Sequence, residues 1–275
     1  MRKYRNFCIF IILCSLTVFL LLKNDYRQFG LTGLASGSNI FSEEKIRVLS
    51  RIYDSNYVTN SDIGKQIATY LPSYQENGIQ TAEYYKKMFG IDSDINDGEE
   101  SYSFRDENGM WKIEKFISHI SYQADEDAEF GDLPEDAAVD IAERFFSERG
   151  LPLYYSGISV LREENCFVIS FISTLAGIKN YAFPNVVSVS GAGKVQWAEY
   201  YSFAYDKIST NKIISMRRAY YELPVDFGTN IRIDLKRCSL VYYYADSIVQ
   251  PAYLFEGETN NGEAFAYFVR ASEYR

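Results

Sequence analysis

Side-chain catalysis needs acids, bases and nucleophiles set in pairs, and this sequence offers few. Its single histidine, His119, stands in "KFISHISYQ" with no nucleophile spaced to use it. A lone imidazole cannot build a metal cluster either, so His119 reads as structural. Glu163 and Glu164 are the adjacent carboxylates a wall-polymer glycosidase would want. They fall in "VLREENCF", at a hairpin turn. "DSDINDGEE" (92–100) can be tested as a calcium loop. Counted from Asp92, the sixth position must be Gly and is Asp97, and the twelfth must be Glu and is Ser103. It reads as a solvated acidic turn, as does "QADEDAEFGD" (123–132). No catalytic set, cofactor site or metal site is therefore expected.

The cysteines give no framework. Of the four, Cys8 and Cys14 lie in an apolar run and read as small hydrophobes. Cys166 and Cys238 fall in separate strand-like runs, where two buried thiols and one disulfide are both open readings.

The elements that would have to hold any site begin outside the globule. "MRKYRN" carries Arg2, Lys3 and Arg5, and Phe7–Leu22 then runs 16 residues without a charge before Lys23. That is slightly short of the roughly 20 residues usual for a span, and Lys23 and Tyr4 can extend it by snorkelling. No small-residue cleavage site follows closely. The expected layout is a cytoplasmic tail at 1–6, a transmembrane anchor at 7–22 and a tether at 23–42, where "NDYRQFGLTGLASGSN" (24–39) reads as a flexible stretch rich in Gly and Ser. The positive flank keeps the N-terminus inside and places the bulk of the chain outside the cytoplasm.

Over the whole chain, 47% hydrophobic residues and 16% aromatics, with 24 tyrosines, exclude a disordered chain and suit half-buried strands. A net charge of −9 argues against nucleic acid as a partner. Helical spacing is expected in "SEEKIRVLSRIY", in "SDIGKQIATYL" after a Ser61 cap, and in "TAEYYKKMFG" up to Gly90. "SYSFRDENGMWKIEKFISHISYQ" reads as two strands around "DENG". "DLPEDAAVDIAERFFSERG" is a clear amphipathic helix, with Asp132 and Glu135 in capping-box spacing, a stripe of Ala138, Ile141, Ala142, Phe145 and Phe146, and Gly150 as its stop. Strands follow, with "SGAGK" (190–194) as a turn. A short helix in "SMRRAYYEL" has Ser215 as N-cap, and three more strands close the chain. Pro251 is placed at a strand start, and Asn260, Asn261 and Gly262 supply the last turn.

One helix followed by antiparallel strands thus occurs twice. The fold class is α+β: two tandem units, each a helix packed on an antiparallel sheet. The expected domains are 43–206, with a helical start and a unit near 132–206, and 207–275.

The order around "AERFF…G…VISF…NVVSVSGAGKVQWAEYY" resembles the PepSY-like unit. "IIS" before the Ala219 helix, "LVYYY" and "QPAYLFEGE…AYFVRA" resemble the YycI pattern. The chain thus resembles the YycH/YycI group, membrane-anchored regulators of a cell-envelope sensor histidine kinase in Gram-positive bacteria. It departs from the pattern at Tyr253, where the group often carries a bulkier aromatic.

The resemblance implies a non-enzyme without cofactors, anchored in the cell membrane. Its partners would be the sensor histidine kinase and a sister YycH-like protein. The anchor is the segment to match to the kinase contact. Close packing between membrane helices favours small or weakly polar residues, so Cys8, Cys14, Ser15 and Thr17 are the candidate face, unless they only face lipid. A PepSY-type inhibitor or chaperone of a secreted protease, or a sporulation-related surface protein, would share the fold.

Overall fold

Period-two alternation dominates from residue 101 onward, and these runs fold as strands. The structure is a computed structural model that describes residues 47–48, 65–73, 76–126, 130–163, 165–223, 232–259, 262 and 264–273. The elements are β1 (Arg47–Val48), β2 (Gln66–Ser73), α1 (Ile79–Met88), β3 (Asn96–Asp97), β4 (Ser101–Arg105), β5 (Gly109–Glu114) and β6 (His119–Ala124). Then come α2 (Glu135–Glu148), β7 (Gly157–Arg162), β8 (Cys166–Leu175), β9 (Ile178–Ser190), β10 (Val195–Tyr201) and β11 (Ala204–Lys212). The chain closes with α3 (Met216–Tyr221), β12 (Arg232–Ala245), β13 (Ile248–Thr259) and β14 (Ala264–Arg270).

The protein is a sheet-rich α+β fold, and its described strands join one hydrogen-bonded network. One stretch runs β3-β4-β5-β6-β10-β9-β8-β7, antiparallel at every step. The other runs β11-β2-β13-β12, with β14 beside β13. The long strand β9 belongs to both, because Asn180 pairs in parallel with Tyr242 of β12. β1 also runs parallel to β12. The expected purely antiparallel pairing is corrected at these two junctions.

Helix α2 forms because its apolar residues recur at helical spacing. Ala138, Ala142, Phe145 and Phe146 are buried, and Ile141 packs beside them. They meet Trp111, Ile113, Phe167, Ile169 and Val187 from the sheet, together with Ala82 of α1. Each buried phenylalanine adds about 1.5–3 kcal/mol. The expected Asp132 cap is corrected: Pro134 is the N-cap and no side chain caps it. Asp136 takes up one orphan donor instead, accepting from the Ala137 N–H at 3.0 Å. Gly150, at φ +66, ends the helix as expected.

A second core lies under α3. Ala219 packs with Ile233, Leu235, Tyr253, Phe255 and Phe265. Ser215 caps that helix, its Oγ accepting from the Arg218 N–H at 3.2 Å. A third cluster ties the two stretches, with Ile172 and Tyr181 against Val241, Ala252 and Leu254.

Several expectations change. The helical start expected from residue 43 is corrected at Arg47–Val48, which is strand, and "KQIATYL" is corrected to β2. Ser61 lies outside the described residues. "SYSFRDENGMWKIEKFISHISYQ" gives three strands rather than two. Its turn is held by Asp106, whose Oδ1 accepts from the Asn108 and Gly109 N–H groups at 2.8 Å. Pro251 is not at a strand start but inside β13, opposite Tyr242. Its missing N–H is tolerated because it falls where β14 ends. Pro251 O accepts from the Ala271 N–H at 2.9 Å, and the Ala271 carbonyl, left without a partner on Pro251, accepts from the Ile214 N–H at 2.8 Å.

Candidate functional site: an aromatic groove beside helix α2

The candidate membrane face, Cys8, Cys14, Ser15 and Thr17, lies outside the described residues. No helix among the described residues is long and apolar enough to cross a membrane. Of the other residues singled out in the sequence, those up to Lys23 and Ser61, Glu164, Asn260 and Asn261 also lie outside the described residues, and the rest are described.

His119 sits on β6, 4% exposed. Its ring stacks on Tyr201 at 4.5 Å between centroids. Its Nε2 meets the Glu199 carboxylate, which can only accept, so that nitrogen carries the hydrogen. Nδ1 is buried without a hydrogen bond among the described residues. Glu114 is nearby, and burial pushes its carboxyl up despite the opposing pull of His119. An imidazole packed between an acid and a phenol ring is closed to substrate, which supports a structural role.

Cys166 and Cys238 are both free thiols. Burial raises both, most strongly Cys238. Neither sits in the electropositive setting that makes a reactive thiolate. Glu163 lies in the β7–β8 turn, its N–H bonded to Cys166 O at 2.9 Å. In the acidic stretches, Asp97 pairs with Lys115 and Glu126 with Lys194. Among the described residues no group of three His, Cys, Asp or Glu is placed to hold a metal.

What the described surface does offer is a groove. It has a volume of about 510 Å³ and lies along the C-terminal half of α2. Glu143 and Ser147 form one wall, and Gly150 to Leu153 and Tyr155 form the rest. The positive φ at Gly150 turns the chain back along the helix, and the Leu151 N–H bonds to Phe146 O at 3.0 Å. Leu151 is then 2% exposed and anchors the groove in the first core. The Tyr200 hydroxyl, from β10 beneath, donates to Pro152 O at 3.1 Å. Burial pushes that phenol up to about 12, with the phenols of Tyr85 and Tyr154 adding to it.

Tyr155 lines the groove and is 41% exposed, and close to it in the chain Tyr154 is 81% and Ile158 38% exposed. The Tyr155 ring leans on Phe171 at 5.2 Å, and its hydroxyl donates to Glu143. That hydrogen bond to a carboxylate is the main reason the Tyr155 phenol is raised. Exposed tyrosines around an apolar hollow are the usual composition of a protein-docking surface, because each ring brings contact area at little entropic cost. The run "LYYSGISVL" reads as one strand, which hides this surface; the structure starts β7 only at Gly157. The usable signal was two adjacent tyrosines between a helix-stopping Gly150 and Gly157, since adjacent rings in one extended segment cannot both face the core.

Sheet, helices and groove define a sheet-rich α+β protein with an open groove beside α2. No protein-family model matches the chain, and no curated protein matches it. Among solved structures, the Bacillus megaterium YpeB C-terminal domain is similar at a TM-score of 0.47 and 15% identity, over 72% of this chain and 95% of that one. No comparison places the chain in the YycH/YycI group.

Proposed function

We propose that the chain is a non-enzymatic, membrane-anchored extracytoplasmic binding protein that modulates a cell-envelope sensor histidine kinase. Phe7–Leu22 holds it in the membrane, and its two helix-on-sheet units lie outside. The observation that carries the reading is the open groove along the C-terminal half of α2, lined by Tyr155 and followed in the chain by the exposed Ile158, with the neighbouring Tyr154 81% exposed. A partner seated there meets preformed, well-packed walls, so little ordering cost is added on binding. Cys8, Cys14, Ser15 and Thr17 provide the membrane contact, and a sister YycH-like protein is a second partner. To shift the kinase, the bound chain must contact its two states unequally.

The test is photo-crosslinking from position 154 in the full chain in living cells, followed by identification of the captured protein. Capture of a sensor kinase supports the reading. Capture of a secreted protease replaces it with the inhibitor or chaperone alternative. Absence of any crosslink from position 154, with crosslinks from an unrelated surface position, removes the groove as the docking site.

A further inference from the structure

We propose that the groove is completed by strand addition: an extended segment of the partner pairs with the outer edge of β7 and lays alternate side chains into the groove. This rests on the reading of the groove as a docking surface and adds how the partner is held.

β7 is paired on one side only, to β8, among the described residues. The register runs from Gly157↔Ile172 to Arg162↔Phe167, and the Glu163 N–H bonds to Cys166 O just beyond it. Hydrogen-bonded and non-bonded pairs alternate in an antiparallel ladder. Leu161, Ser159 and Gly157 therefore turn their main-chain groups toward β8. Ile158, Val160 and Arg162 turn theirs outward, which leaves three N–H and three C=O groups for a further strand.

The side chains agree with the backbone. Ile158 and Val160 stand opposite Phe171 and Ile169, both in the core beneath α2, so they share the face of the groove. A strand added at about 4.8 Å from β7 would point every second side chain at Ile158, Tyr155 and the α2 wall. Glu143 is the one charged residue among those lining the groove, and the whole chain carries −9. The fitting occupant is an extended protein segment that alternates apolar residues and carries a Lys or Arg to meet Glu143.

Other free edges fit less well. β11 also pairs on one side only, but it carries Asp206, Lys207 and Lys212 and is mostly exposed. Charges of this kind protect an edge against pairing. β3 is two residues long. On β14 both faces are committed, Phe265 and Val269 to the core under α3 and Phe268 to Tyr181. Among the described edges, β7 combines an uncharged "GISVL" run with a face that continues, through Phe171 opposite Ile158, to Tyr155 of the groove.

The probe is a library of blocked peptides of roughly ten residues, with Val, Ile, Leu or Phe at odd positions and Thr or Lys at even ones, bound to the full chain. Two readouts follow for the tightest member. Amide exchange at Ile158, Val160 and Arg162 should slow at least tenfold on saturation. Ile158→Pro removes one outward N–H and leaves the β8 ladder intact, and it should weaken binding at least tenfold. Protection without that loss, or that loss without protection, overturns strand addition. Binding lost in Tyr154→Ala but kept in Ile158→Pro also overturns it, while leaving the docking surface in place. A library with no binder overturns it too, and crosslinking from position 154 then decides the docking reading separately. The exchange measurement uses the wild-type chain and does not depend on how the proline variant folds.

Discussion

Phe146→Ala is the sharpest test of the packing that builds the groove. Phe146 is 1% exposed. Its ring lies 5.7 Å from Phe145, 6.1 Å from Phe171 and 5.6 Å from Tyr200. Two of those partners serve the groove directly, Phe171 under Tyr155 and Tyr200 under Pro152. Truncation removes the transfer energy of the ring and leaves a hole between α2 and the sheet, which costs about 3–5 kcal/mol in cores of this kind. With a urea slope near 2.5 kcal/mol/M, the unfolding midpoint should fall by about 1.5 M. The assay is intrinsic fluorescence. Both tryptophans, Trp111 and Trp197, lie on strands of the stretch that carries α2, and Trp111 stacks on Phe145 at 5.6 Å. The carbonyl of residue 146 still caps the turn to Leu151, so the helix end survives and only packing is lost. Phe146→Leu should lose less, on the order of 1 kcal/mol. A midpoint shift below about 0.4 M for the alanine variant would refute a tightly packed core here.

Gly257→Ala should cost more than about 2 kcal/mol, because the new Cβ would lie 2.1 Å from Asp234 O, where β12 bulges between Leu235 and Arg237. Chemical denaturation reads it, and a neutral result would remove the close approach. Tyr253→Phe deletes the 2.8 Å bond to Ile214 O and should cost about 1–3 kcal/mol, seen as a lower Tm. Glu114 has a raised pKa in the folded state, first through burial, so its native form binds a proton more readily than the unfolded chain. Its contribution is full below the ordinary carboxyl pKa and is lost as pH rises through the raised one. Glu114→Gln should therefore stabilise the protein at pH 7, with the gain vanishing toward pH 4, as measured by denaturation at both. Tyr122, Tyr200 and Tyr243 are each pushed up to about 12, chiefly by burial, so phenolate absorbance should appear in two phases. Stability should hold below pH 10 and fall as pH rises through 12, and a single phase near 10 would contradict the burial of these rings.

The legible parts of the fold are those whose local pattern and tertiary use agree. α2 has both helical spacing and a glycine stop, and β7 to β10 have alternation and turns. β2 was misread because the two signals conflict. Ile63, Ile67, Ala68 and Leu71 trace a helical stripe, yet in the sheet Leu71 is 40% exposed while Thr69 is 2% exposed. Thr69 tolerates burial because its hydroxyl accepts from Asn211 Nδ2 at 3.1 Å, across the β2–β11 pair. A polar residue satisfied by a partner 142 positions away leaves no local trace. The parallel junction of β9 and β12 is hidden for the same reason, since register between distant strands is a tertiary choice.

The groove was illegible for a different cause: composition shows what can be buried, not what a fold leaves open. Tyr154 and Tyr155 look like any strand aromatics until the turn after Gly150 directs one of them outward. Their position also joins the site to the rest of the molecule. On β8, Phe171 faces the groove through Tyr155, and Ile172, the next residue, packs on the other side with Tyr181, Val241 and Leu254. The ladder between β8 and β9 bulges between Phe171 and Ser173, at the place where these two faces are divided. A bulge re-aims side chains at a fixed point in a strand. Here it lets one strand floor the groove and close the third cluster at once, so groove and third cluster share a rigid element that none of the helices supplies.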